Sequence, residues 1–116
     1  MMILSGQTSG VPLNAGLYEA HIKAELDGRT LRIKNVFENN SSKPVDFRYK
    51  FKLERTGKSG SAISSQSGTL RAAPGEEVNL SATRVSIHVG DTCTLVLHVY
   101  DGSTPIAHDT VTVPAN

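Results

Sequence analysis

Val45-Asp46-Phe47-Arg48-Tyr49-Lys50-Phe51-Lys52-Leu53-Glu54 alternates apolar and charged residues without a break. Side chains of an extended chain point to opposite faces in turn, so this run is a strand with one face in a core and the other in water. Phe47, Tyr49 and Phe51 on the inward face put the strand across the middle of that core.

The same period extends outward from it. Upstream, Tyr18, Ala20, Ile22, Ala24 and Leu26 share one face, and Glu19, His21, Lys23 and Glu25 the other. Asp27-Gly28 is a hairpin signal, and its loop length leaves open whether Lys23 or Glu25 faces Arg32. Leu31, Ile33 and Phe37 then point inward, with Arg32, Lys34 and Glu38 outward, up to the turn cluster Asn39–Pro44. Downstream, Arg55–Ser61 reads as a loop and Ala62–Leu70 as a strand poor in large side chains, hence an edge. After Ala73-Pro74-Gly75-Glu76, the set Val78, Leu80, Ala82 passes into Val85, Ile87, Val89, and the change of parity near Thr83 predicts a bulge or a break. Gly90-Asp91 leads to Cys93, Leu95, Leu97 and Val99, and Asp101–Pro105 to Ile106–Val113.

About seven strands at intervals of about ten to fifteen residues, with no helical period, predict an all-β fold. The expected form is an immunoglobulin-like antiparallel β-sandwich, with a small closed barrel as the alternative. Residues 1–14 are expected to be a disordered N-terminal segment and 15–116 a single domain. Met1-Met2-Ile3-Leu4 has neither the basic nor the long apolar region of a secretory signal, which suits a cytosolic chain or a mature secreted domain with a new start.

Composition narrows the chemistry. The chain has 116 residues, 38% apolar and 5% aromatic, with no Trp, so Val, Leu, Ile and Ala must build most of the core. A net charge of +1 argues against wholesale binding of nucleic acid or membrane. One Cys excludes an internal disulfide and a multi-cysteine zinc site. His21, His88, His98 and His108 are too far apart in sequence to form a strand-spaced ligand pair, so no metal site is expected. Cys93 alternates with Leu95 and Leu97 as a core residue. No serine stands in a nucleophile elbow, Glu76-Glu77 follow a turn as solvated acids, and no helix exists to cradle phosphate. Neither enzyme activity nor a cofactor is expected.

The charges are segregated. From Arg29 to Lys58 there are nine basic residues against three acidic, a net +6, while the rest of the chain carries −5. Arg48, Lys50 and Lys52 stand on one outward face, about 7 Å apart by strand rise, and Arg32 with Lys34 make a second basic pair. Such a face either keeps a sheet solvated or docks an acidic or amyloid-prone chain by long-range attraction. It has no outward aromatics on which bases could stack.

Tyr49-Lys50-Phe51-Lys52-Leu53-Glu54-Arg55-Thr56-Gly57-Lys58-Ser59-Gly60-Ser61, followed by Ser64-Ser65-Gln66-Ser67-Gly68, resembles the curli assembly inhibitors of the CsgH/CsgC type. The resemblance runs from about Tyr18 to Pro114. It implies a periplasmic sandwich, monomeric and without cofactor, that holds the curli major subunit in a non-fibrillar state at low stoichiometry. The CsgC branch bears a Cys-x-Cys pair where this chain has Thr92-Cys93-Thr94, which favours the CsgH branch and speaks against redox work. The surface charge on which the family's inhibition depends maps onto Arg48, Lys50 and Lys52, with Arg32 and Lys34.

Two physical routes suit that role. A basic face can capture an early oligomer, or the edge strand around Ala62–Leu70 can add to the client. Gln66-Ser67-Gly68 is similar to the Gln-x-Gly of curli repeats and would suit mimicry of the client. A non-enzymatic immunoglobulin-like accessory or adhesion module binding another protein is the alternative. A ligand binder would need an apolar pocket.

Overall fold

The alternating run becomes the inner part of β4 (Val45–Gly57), in which Val45, Phe47, Tyr49, Phe51 and Leu53 are all buried. The computed structural model describes residues 2–5, 17–58 and 60–114. Besides β4 it contains β1 (Met2–Ser5), β2 (Tyr18–Asp27), β3 (Thr30–Asn39), β5 (Gly60–Ala72), β6 (Glu77–Ser86), β7 (Thr92–Asp101) and β8 (Thr104–Val113). Two antiparallel sheets face each other, ordered β1-β2-β3-β6 and β5-β4-β7-β8. Seven long strands in this β-sandwich agree with the sequence expectation. The short β1 is additional: residues 1–14 were set outside the fold, yet Met2–Ser5 pair with Lys23–Leu26 of β2. Residues 6–16 lie outside the described part.

Alternation on both inner faces fills the core. Phe37 of β3 and Phe47 of β4 meet at 4.4 Å between ring centroids, joining the sheets, and Tyr18 stacks on Phe37 at 6.0 Å. Cys93, Leu95, Leu97 and Val99 of β7 are fully enclosed, as their period required.

Loops account for the departures from expectation. The β2–β3 hairpin closes on Asp27 and Thr30, so Glu25 faces Arg32 and Lys23 faces Lys34. Gly28 has φ +62° and no other residue of that turn has a positive φ, the pattern of a type II′ loop. The Gly/Ser stretch 55–61 is mostly strand, because β4 supplies a continuous ladder right up to the Gly57–Gly60 pair. The bulge of β6 falls at Leu80, not near Thr83: Asn35 pairs with Ser81 and Val36 with Asn79. Thr83 therefore stays on the inner face and Ala82 is exposed, since either side chain is small enough for its position. Val89, expected inside, is 86% exposed, because β6 ends at Ser86 and the chain turns there.

Polar groups seal the two open sides of the sandwich. On one side, the fully buried Asp109 of β8 accepts the backbone N–H of Ile22 in β2 at 2.8 Å and that of Thr110 at 2.9 Å. On the other, Gln66 of β5 donates to Thr83 Oγ1 of β6 at 3.1 Å, and the Tyr49 hydroxyl donates to the Leu80 carbonyl at 3.1 Å. Gly68, the cross-strand partner of Tyr49, makes room for that ring: a Cβ there would lie 2.8 Å from Tyr49 Cε1. Asn39, buried at the end of β3, donates to the carbonyls of Lys43, Ala72 and Ala73 and accepts from the Ser41 amide and hydroxyl. Two turns and a strand end hang on that one side chain.

Candidate docking surface

Arg48, Lys50 and Lys52 project from the outer face of the second sheet, because their odd-numbered neighbours are committed to the core. Register places each between a short side chain and a ring or branched residue. Arg48 lies between Thr69 and Tyr100, Lys50 between Ser67 and His98, and Lys52 between Ser65 and Val96. Arg48 lies over the Tyr100 ring at 5.4 Å, a cation–π contact, so this face carries an outward aromatic where the sequence reading expects none.

Acids stand only at the two ends of this row. Lys52 approaches Glu54 at 4.0 Å, and Arg71 pairs with Asp46 at 3.4 Å. Between them Arg48 and Lys50 have no ion-pair partner among the described residues. Desolvation lowers the pKa of His98 from its ordinary value, and the charges of His108 and Lys50 push it the same way. A shallow open groove runs along the row, lined by Lys50, Lys52, Ser65, Ser67, Val96 and His98.

Arg32 and Lys34 do not join this row. The Asn39–Pro44 turn carries the chain from one sheet to the other, so β3 and β4 display their outer residues on opposite sides of the sandwich. Arg32 there is flanked by Glu25 at 3.6 Å and Asp27 at 3.7 Å. Period alone cannot assign strands to sheets, so the two basic rows looked like one candidate surface. On the structure they are two: on β4, Arg48 and Lys50 lack an acidic partner among the described residues, and on β3, Arg32 has two while Lys34 lies between Lys23 and Ala82.

The opposite face carries a feature that sequence spacing did not reveal. Register aligns Glu19, Glu38 and Glu77 in one row across β2, β3 and β6. Ligand atoms of Glu19, His21 and Glu38 lie within 4.8 Å of one another, with His21 Nε2 3.9 Å from Glu38. The Glu38 carboxyl is raised, chiefly by a hydrogen bond shared with Glu19, then by burial and by the charge of Glu19. Such sharing is how like charges on an exposed sheet lower their repulsion. Glu19 and His21 on β2 meet Glu38 on β3 only through cross-strand register, which the spacing of the histidines along the sequence does not show.

No family profile and no curated protein matches the chain. Among solved structures, the E. coli curli protein CsgC is similar at 19% identity and a TM-score of 0.67, over 84% of this chain and 99% of that one. R. palustris CsgH is similar at 17% identity and a TM-score of 0.59, over 79% and 90%. A Bacteroides uniformis β-glucuronidase matches at 10% identity and a TM-score of 0.60, over 83% of this chain but only 14% of the enzyme. The two curli neighbours are too alike in distance from this chain to favour the CsgH branch over the CsgC branch. The chain has the fold of the curli proteins CsgC and CsgH.

Proposed function

We propose that this protein is a non-enzymatic, periplasmic inhibitor of curli subunit polymerisation, acting as a monomer on the curli major subunit. The observation that carries the reading is the match to a curli protein over 84% of this chain and 99% of that one. The row Arg48, Lys50, Lys52 supplies the chemistry, as a rigid basic strip with unpaired cations at its centre. Fixed charges of one sign raise the encounter rate with an acidic chain and lose that advantage as salt screens them. A captured early oligomer cannot present its growing cross-β edge. Arg32 and Lys34 face the other way, outside the groove of the β4 row, and Glu25 and Asp27 offset the charge of Arg32.

The test is fibre growth of a purified curli major subunit, followed by thioflavin-T fluorescence. Lys50→Glu/Lys52→Glu should shorten the delay that the protein imposes, and added salt should do the same to the unaltered protein. An equal delay with the reversed charges would remove the basic row from the account. The second reading, an accessory or adhesion module, draws on the glucuronidase match, where this sandwich corresponds to a small part of a larger chain.

A further inference from the structure

Each sheet has two edges, and three of the four are blunted. Natural sheets protect edges with short strands, bulges, prolines and charges, because unpaired N–H and C=O groups recruit other strands. On the β2 edge, β1 covers Lys23–Leu26, and the Ile22 N–H just beyond is taken by Asp109 Oδ2. The β6 edge is bent by the bulge at Leu80 and carries Glu77 and Arg84. The β8 edge has Pro105 and an extra residue at Ile106, and its Thr110 N–H is taken by Asp109 Oδ1.

The β5 edge has none of these devices. Gly60–Ala72 runs for 13 residues beside β4 without a register shift, has no proline, and carries no charge before Arg71. The register closes on Gly57–Gly60; residues that flank a two-residue hairpin loop form a hydrogen-bonded pair, and bonded pairs alternate from there. The N–H and C=O groups of Ile63, Ser65, Ser67 and Thr69 therefore point off the edge. Those same residues turn their side chains to the outer face, beside Glu54, Lys52, Lys50 and Arg48.

We propose that β5 is the docking strand: an extended segment of a partner chain pairs with it, carrying acidic side chains at the alternate positions on the basic side. This rests on the inhibitor reading only for the kind of partner. Charge selects the occupant. The short side chains of Ser65 and Ser67 let Lys52 and Lys50 reach across β5 to carboxylates on an added strand, about 10 Å from β4. A second copy pairing edge to edge would instead bring two basic rows to one face with no acid between them. Face and edge thus form one site, in which the cations attract and the backbone ladder holds. Gln66 and Gly68 serve the sandwich rather than the partner, one tying β5 to β6 and the other admitting Tyr49.

The test uses the full chain and a synthetic peptide of about ten residues alternating Thr and Glu. Amide exchange by NMR should slow at Ile63, Ser65, Ser67 and Thr69, and a Thr/Lys peptide should bind at least about tenfold more weakly. Ser67→Pro keeps the ladder to β4, because the N–H it deletes points outward, and should weaken binding about tenfold or more. Ser65→Pro is the second variant should the first not fold. Protection confined to other strands, no protection at all, or a dimer that Ser67→Pro disperses would overturn the proposal. Fibre growth separates the two readings. If Ser67→Pro delays it as the unaltered protein does, the edge falls and the inhibitor stands. If the unaltered protein gives no delay while the peptide still protects β5, the inhibitor reading falls alone.

Discussion

Asp109 offers a stability prediction whose sign is set by burial. Its carboxyl is enclosed between the sheets, and desolvation raises its pKa above the ordinary 3.8 despite the two backbone N–H groups it accepts and the nearby His21 and His108. The folded state therefore holds the proton more tightly than the unfolded chain. The stability this gives is complete below the unfolded pKa and is lost as pH rises through the raised folded one. Asp109→Asn has no such proton, and its Oδ1 can still accept from Ile22. The stability of the native protein minus that of Asp109→Asn should thus fall as pH rises above the ordinary carboxylate range. Asp109→Ala also strands the Ile22 N–H, costing about 1–3 kcal/mol. For 116 residues that lowers the melting temperature by about 4–12 °C at neutral pH. Urea unfolding across that pH range measures both effects. A difference that rises with pH would mean that the carboxylate is stabilised in place and refute the burial argument.

Two further substitutions probe the seals of the sandwich. Gly68→Ala should cost about 1–3 kcal/mol, because the new methyl drives the Tyr49 ring off the Leu80 carbonyl. Chemical denaturation would read that cost, and a neutral result would mean that the ring has room to move. Asn39→Ala should cost about 2–4 kcal/mol by releasing several buried or half-buried bonds, with faster amide exchange at Gly75 and Asn40 as its local mark.

Period carried most of the fold. The runs on β2, β4 and β7 alternate cleanly because their neighbours on both sides are strands, and the inward residues named from sequence are buried or, at Tyr18 and Leu26, half-buried. It failed where a residue could sit on either face at little cost. Ala82 and Thr83 are both small, so the bulge was misplaced to the point where apolar parity changes rather than to Leu80. Val89 looked inward only because the strand was carried past its end. A Gly/Ser run read as a loop proved to be mostly strand, since residues 55–57 extend β4, 60–61 open β5, and the backbone ladder between them needs no large side chains.

The candidate site was half legible for the same reason. Alternation alone put Arg48, Lys50 and Lys52 in one outward row. It could not tell that Arg32 and Lys34 occupy the opposite face, because sheet membership is settled by long-range pairing. The Gln66-Ser67-Gly68 motif, which suggested mimicry, acquires a structural role once Thr83 and Tyr49 are seen beside it. The acid row Glu19, Glu38, Glu77 needed three strands in register before it could be seen.

Fibre growth of the curli major subunit, with this protein at a small fraction of the subunit concentration, tests the central claim most directly. A long delay that shrinks on adding salt and on Lys50→Glu/Lys52→Glu is the predicted result. Unchanged growth even at equal concentrations would contradict it and leave a β-sandwich whose partner is of another kind.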